Sequence, residues 1–127
     1  MQIPGPSARR RMLIDALSVV AAAASAQVAW LKKYDVPPDE IALGFDDAFC
    51  LVGRLLEDGQ LSRGVLPALQ MIDEVFREMT HDAETDRWTR AVLSTDAGWG
   101  RARQLARVVL AAEGEADAPL PEICIVR

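Results

Sequence analysis

The stretch Val65-Leu66-Pro67-Ala68-Leu69-Gln70-Met71-Ile72-Asp73-Glu74-Val75-Phe76-Arg77-Glu78-Met79-Thr80 decides the fold class. Val65, Leu69, Ile72, Phe76 and Met79 recur at three- and four-residue intervals, which lines them along one side of an α-helix. The pattern predicts a helix over residues 62–80, with Ser62 as N-cap and Leu61 packed on Leu66 as a hydrophobic staple. Pro67 has no N–H to give a helix interior, so the regular part should begin nearer Leu66.

Upstream of it, seven of the nine residues from Ala48 to Leu56 are apolar, and a helix apolar on nearly every side is a buried one. A central helix over 46–58 follows, started by Asp46 as N-cap with Asp47 in its first turn and stopped by Gly59. Residues 39–45 fit either a helical turn or an extended link. Residues 7–34 read as one long amphipathic helix, capped by Ser7, with Leu13, Leu17, Val20, Ala24, Val28 and Leu31 on one face, and ended by Asp35 to Pro38. Its other side carries a strip of small residues, Ser18, Ala22, Ser25, Ala26 and Ala29, which would suit a homodimer seam as well as it suits alanine's helix propensity.

Downstream, a polar hinge from Thr80 to Thr85 leads to a short helix over 86–93 anchored by Trp88. A further helix over 95–113, opened by Ser94 or Thr95, has Trp99, Ala102, Leu105, Ala106, Val109 and Leu110 on its core face. In the tail, 115–127, Pro119 and Pro121 stiffen a connector, and the β-branched run Ile123 to Val126 reads as a strand or as an apolar strap, the strap being slightly preferred. The expected architecture is all-α: one domain, a bundle of about five helices with a long N-terminal helix, a buried central helix and an extended tail.

The chain has 127 residues, enough for one domain with a real core, and its hydrophobic and charged fractions, 50% and 26%, are those of a globular protein. A formal charge of −5 argues against a nucleic-acid partner, whose phosphates need a basic footprint. No window of some 20 residues is free of charge, so no membrane span is expected. Arg9 to Arg11 before an apolar stretch and Ala24-Ser25-Ala26 outline a secretory leader, but Asp15 interrupts that stretch and the helical pattern runs on past it. Cys50 and Cys124 form no disulfide framework; Cys50, in apolar company, reads as a core residue, and a reduced cytoplasmic setting is the expectation.

Catalytic chemistry finds little footing. Glu78-Met79-Thr80-His81 has the E-x-x-H spacing of carboxylate-bridged di-iron bundles, but that site needs the motif twice and His81 is the single histidine. It reads as a surface or capping residue, with no metal and no cofactor implied. No nucleophile elbow, P-loop or dinucleotide fingerprint occurs. Arg54, within the apolar helix, must reach solvent or pair with a carboxylate such as Asp58 one turn on. Trp30, Phe45, Phe49, Trp88 and Trp99, with Arg54, are candidates for an aromatic-lined cleft that would serve a small molecule or an enzyme, although aromatics at helical spacing are usually core.

Charge is the least random feature. Residues 35–86 hold 13 acids and three bases, a balance of −10, between flanks of +4 and +1. If these acids share a surface, they would steer a basic partner. Asp39, Glu40, Asp46, Asp47, Glu57, Asp58, Asp73 and Glu74 are the candidate contact residues, unless Arg87, Arg90, Arg103 and Arg107 neutralise them in the fold.

The segments Ala29-Trp30-Leu31, residues 36–48 from Val36-Pro37-Pro38-Asp39-Glu40 to Asp46-Asp47-Ala48, and Leu61-Ser62 resemble a group of short, acidic, helical bacterial proteins of uncharacterised function. In size, charge and helical content the chain is also similar to immunity proteins of toxin systems. The second resemblance implies a non-enzymatic protein whose carboxylates occupy a cationic cleft on a toxin. Neither brings a catalytic motif.

Overall fold

The computed structural model describes residues 6–122, all of whose regular elements are helical. The described residues form six α-helices: α1 (Pro6–Ala21), α2 (Ala24–Tyr34), α3 (Asp39–Phe49), α4 (Val52–Glu57), α5 (Leu66–Thr80) and α6 (Ala97–Ala112). Short 3-10 turns occupy Arg63–Val65 and Arg90–Val92. Among the described residues no single helix is long and apolar enough to cross a membrane; α1 and α2 meet that length and composition only as a pair bent by 117°.

That bend corrects the expectation of one helix over 7–34. Nothing local breaks it, because Ala21 to Ala24 is an alanine run. The cause is tertiary. A helix C-terminus leaves its last carbonyls without intrahelical partners, and here four successive ones are taken by side chains. The Gln27 amide, fully buried, donates to the carbonyls of Val19 and Val20 at 3.0 and 3.1 Å. Arg107 Nε donates to Ala21 O and Arg103 Nε to Ala22 O, each at 2.9 Å. Arg103 also binds Gln27 Oε1 at 2.9 Å, so the three side chains make one network that fixes the turn. Burial, with Arg107 nearby, draws the Arg103 pKa below its ordinary value.

The core lies between α1, α5 and α6, which pack most extensively, with α3 laid against α1. Leu13, Ile14, Leu17 and Val20 of α1 meet Ala102, Ala106 and Val109 of α6, all essentially inaccessible. Small Ala102 and Ala106 let the helices approach closely. The most deeply buried helices are thus α1 and α6, and the segment expected as a buried central helix is peripheral. It is also divided: 39–45 is helical and belongs to α3, so Asp46 and Asp47 lie in the last turn of α3 and cap nothing, while α4 is a separate short helix. Only Ala48, Val52 and Leu55 of that segment are buried; Cys50 and Arg54 are exposed. Arg54 therefore needs no partner, and Asp58 is held instead by Arg9 at 2.7 Å.

Gly59, with φ +69°, makes the turn after α4, as expected for a glycine stop. The helix expected over 62–80 starts as a 3-10 turn and becomes α-helical at Leu66, with Pro67 in its first turn and all five stripe residues buried. Ser62 contributes no side-chain cap; its N–H points to Glu113 at 3.4 Å. The short helix expected over 86–93 is reduced to the 3-10 turn at Arg90–Val92. Asp86 accepts from the Trp88 N–H and no helical turn forms before Arg90, since Arg87 is bonded to Asp96 and Trp88 is packed edge-on against Trp99 at the start of α6. There Asp96, not Ser94 or Thr95, is the N-cap, accepting from the N–H groups of Gly98 and Trp99 at 2.8 and 3.2 Å. Arg87 donates to the same carboxylate at 2.9 Å. Burial pushes the Asp96 carboxyl up, but Arg87 and the two N–H groups outweigh it and leave its pKa below the usual aspartate value. Gly98 is buried here by necessity, since a Cβ would lie 2.9 Å from Met79 Sδ and closer still to Arg87.

After α6 the chain runs back over α1 and α2. Arg10 binds Glu113 at 2.8 Å, and Trp30 Nε1 donates to Pro121 O at 2.9 Å, which straps residues 115–122 to the bundle. The β-branched run 123–126, with Cys124, lies outside the described residues.

Candidate functional site

Helix α3 organises the surface around it. Its acids sit at positions 39, 40, 46 and 47, and residues seven apart on a helix share a face. Asp39 and Asp46 therefore form one column and Glu40 and Asp47 another. The first column borders a cleft of about 500 Å³ between α3 and α5; the second borders a groove of about 280 Å³ between α3 and α1. All four carboxylates lack an ion-pair partner among the described residues, and Leu43 stands between the columns with 57% of its surface exposed.

The α3–α5 cleft has an aromatic floor. Phe45 stacks on Phe49 with ring centroids 5.5 Å apart and meets Phe76 edge-on at 5.9 Å; Phe76 in turn contacts Trp88 at 6.0 Å and Trp99 at 5.5 Å. Trp99 is wholly buried and its indole N–H binds Arg87 O, whereas half-buried Trp88 lines the cleft beside Phe45 and Phe76. The rim carries Asp39, Asp46, Asp73, Arg77 and His81. Asp73 is engaged with Arg77 at 2.8 Å, one turn on. His81, just past the end of α5, is exposed. Three carboxylates against one guanidinium leave the rim formally at −2 with His81 neutral.

The second groove has an apolar base of Ala16, Val19, Ile41 and Ala48, and Asp15 joins Glu40 and Asp47 on its rim. Burial raises the Asp15 pKa, Arg11 opposes the rise and Glu115 adds to it. A third depression, about 540 Å³, lies where the α1–α2 bend meets α6 and the strap, walled by alanines and by Arg107.

Of the eight acids read as one contact surface, the four on α3 stand together. Asp73 joins them across the cleft but is paired with Arg77, Asp58 is held by Arg9, and Glu57 and Glu74 are exposed residues that border neither cleft. The four arginines that could have neutralised the α3 acids form no ion pair with them among the described residues: Arg103 and Arg107 of α6 are committed to backbone carbonyls, Arg87 to Asp96 and Asp82, and Arg90 is exposed. The aromatic set also divides. Phe45 and Trp88 border one cleft, Trp99 continues its aromatic cluster inward and partly buried Phe49 stacks on Phe45 outside the lining, but Trp30 packs on Tyr34 in the α1–α3 groove and Arg54 lines neither. Phe76 was the member missed; its place on the α5 core stripe hid that it also faces the cleft. The small-residue strip is broken by the bend, with Ser18 buried and bonded to Ile14 O while Ser25 and Ala29 stay exposed.

Among the described residues no three His, Cys, Asp or Glu side chains are grouped so as to hold a metal ion. In comparisons with known proteins, no family model, curated protein or solved structure matches this chain.

Proposed function

We propose that this is a non-enzymatic protein-binding module, of the immunity or antitoxin kind, whose acidic α3 face engages a basic surface on a protein partner. The observation that carries the reading is the placing of Asp46 and Asp47. Both are exposed, both lack a cation, and both sit in the last turn of α3, where the helix dipole disfavours negative charge. Uncompensated charge at that end costs stability, and such a cost is characteristic of surfaces kept for binding. With Asp39 and Glu40 they give four acids and no base on eleven residues, around an exposed leucine that a partner would cover.

The test is kinetic. A partner captured from native extract is bound to the wild-type chain and to a double variant, Asp46→Lys with Asp47→Lys. Association at low salt should fall by roughly tenfold or more and the difference should shrink as salt rises, because steering acts over about a Debye length. An association rate equal to wild type at low salt would remove the acidic face from the interaction.

A small-molecule or enzymatic role has one observation in its favour: the α3–α5 cleft, at about 500 Å³, has the size of a ligand pocket. Its lining places Asp73 in an ion pair and leaves His81 at the open rim, an arrangement better suited to holding a cation than to moving a proton.

A further inference from the structure

Resting on that reading, we infer that the α3–α5 cleft seats one arginine side chain of the protein partner, its guanidinium against Trp88 and within reach of the Asp39 and Asp46 carboxylates.

Three features lead there. The first is sign: the rim is net negative, and because Asp73 is already engaged by Arg77, Asp39 and Asp46 are the two carboxylates left open to an incoming cation. Spaced two turns apart, about 10 Å along the helix, they flank the cleft rather than chelate across a point. The second is the floor. Trp88 is half-buried and is the ring left open to the cleft, with almost fully buried Phe45 and Phe76 packed behind it, so a group entering the cleft loses water and meets aromatic surface at Trp88. A planar, weakly hydrated guanidinium stacks on such rings while donating sideways to carboxylates; a lysine ammonium is more strongly hydrated and has no plane to stack. The third is what lies beyond the cleft. Leu43, mostly exposed, forms its lip, and the second acid column continues on the other side of that leucine. A free arginine-like molecule would fill the cleft and leave these untouched, whereas a protein that inserts one arginine would cover them as well.

The full chain is titrated with three blocked, glycine-flanked peptides that differ only at the centre: arginine, lysine, or citrulline as the neutral isostere. Indole N–H signals in the NMR spectrum report the site, with Trp30, which lies in the other groove, as the internal control. The arginine peptide should shift Trp88 saturably and leave Trp30 in place, bind at least about threefold more tightly than the lysine peptide, and give no saturable shift as citrulline. Trp88→Leu and Asp46→Asn should each weaken the arginine peptide by about fivefold to tenfold. Asp46 is exposed, so its variant reads the cleft even if the tryptophan variant loses structure. Equal binding of arginine and citrulline overturns the inference, as does the absence of a Trp88 shift. If the arginine peptide moves the amides of Glu40 and Asp47 but not Trp88, the cleft falls while the acidic-face reading stands. If the captured partner is indifferent to the double lysine variant, that reading falls with it.

Discussion

Helices α3 and α6 carry opposite charge and spend it differently. α3 has four acids and no base, and none of its carboxylates meets a cation among the described residues. α6 has three arginines and no acid, and two of them, Arg103 and Arg107, point inward to the exposed carbonyls at the end of α1. Charge on α6 substitutes for the missing hydrogen bonds of a broken helix. Charge on α3 substitutes for nothing inside the molecule. The difference teaches that net charge along a sequence is a poor guide to a working surface until the internal uses of each ionic group are subtracted.

The contrast can be broken most severely on the α6 side. Gln27→Leu takes the amide donor from the carbonyls of Val19 and Val20, leaving Val19 only the Ala22 N–H at 3.3 Å, and strips Arg103 of a partner; about 3 kcal/mol of stability should be lost, read as a fall in Tm of about 10 °C. Next comes the start of α6. Gly98→Ala, which forces a methyl group against Met79 and Arg87, should cost about 2 kcal/mol, whereas Gly100→Ala, two residues on with nothing within 4 Å of the added carbon, should gain up to about 1 kcal/mol in urea unfolding. The Asp96 carboxylate adds a pH signature. Its pKa is lowered in the fold, so its contribution is present above the ordinary aspartate value of 3.8 and is lost as pH falls through the lower folded value. Thermal melts of Asp96→Asn against wild type should therefore differ most near neutrality and converge in acid.

On the acidic side the expected stability effects are small and opposite in sign. Asp15, partly exposed, has a raised pKa, so its ionised form weighs against folding as pH rises. After allowance for solvent screening, Asp15→Asn should gain a few tenths of a kcal/mol at pH 7, and the gain should vanish below about pH 3.8, where both states are protonated. Asp46→Asn with Asp47→Asn should likewise hold or slightly raise stability, by at most about 0.5 kcal/mol, since the pair opposes the dipole of its own helix. A clear loss of stability there would mean that these acids serve the fold, and the contrast with α6 would disappear.

What could be read from sequence follows the range of the forces involved. The α5 stripe, the stop at Gly59 and the core face of α6 depend on neighbours three or four residues away, and they are where the pattern puts them. The start of α3 was also written locally, in Pro37-Pro38 followed by two first-turn acids, but the apolar run from Ala48 drew attention past it. The α1–α2 break has no local mark. Two of its three causes, Arg103 and Arg107, lie 81 and 86 residues from the carbonyls they bind, and the third, Gln27, turns to Val19 and Val20 only once Arg103 holds it, so alanine propensity dominates the local signal and points the wrong way. The same distance explains the mixed outcome at the cleft. Asp39 and Asp46 share a face by spacing alone, while the union of Phe45, Phe76 and Trp88 required the packing of α3 on α5. That Asp58 and Asp73 were already occupied depended on Arg9, 49 residues away, and on Arg77, four away.

The bend between α1 and α2 also has a consequence in time. A ribosome makes residues 7–34 before the arginines that seal the corner, which come some 80 residues later, on the order of several seconds at usual translation rates. Until α6 emerges, the alanine run has every reason to continue as one straight rod with its apolar side open to water. The corner is therefore among the last parts of the nascent chain to be completed, and any truncation before Arg103 would leave a newborn protein with its longest greasy surface unsheltered.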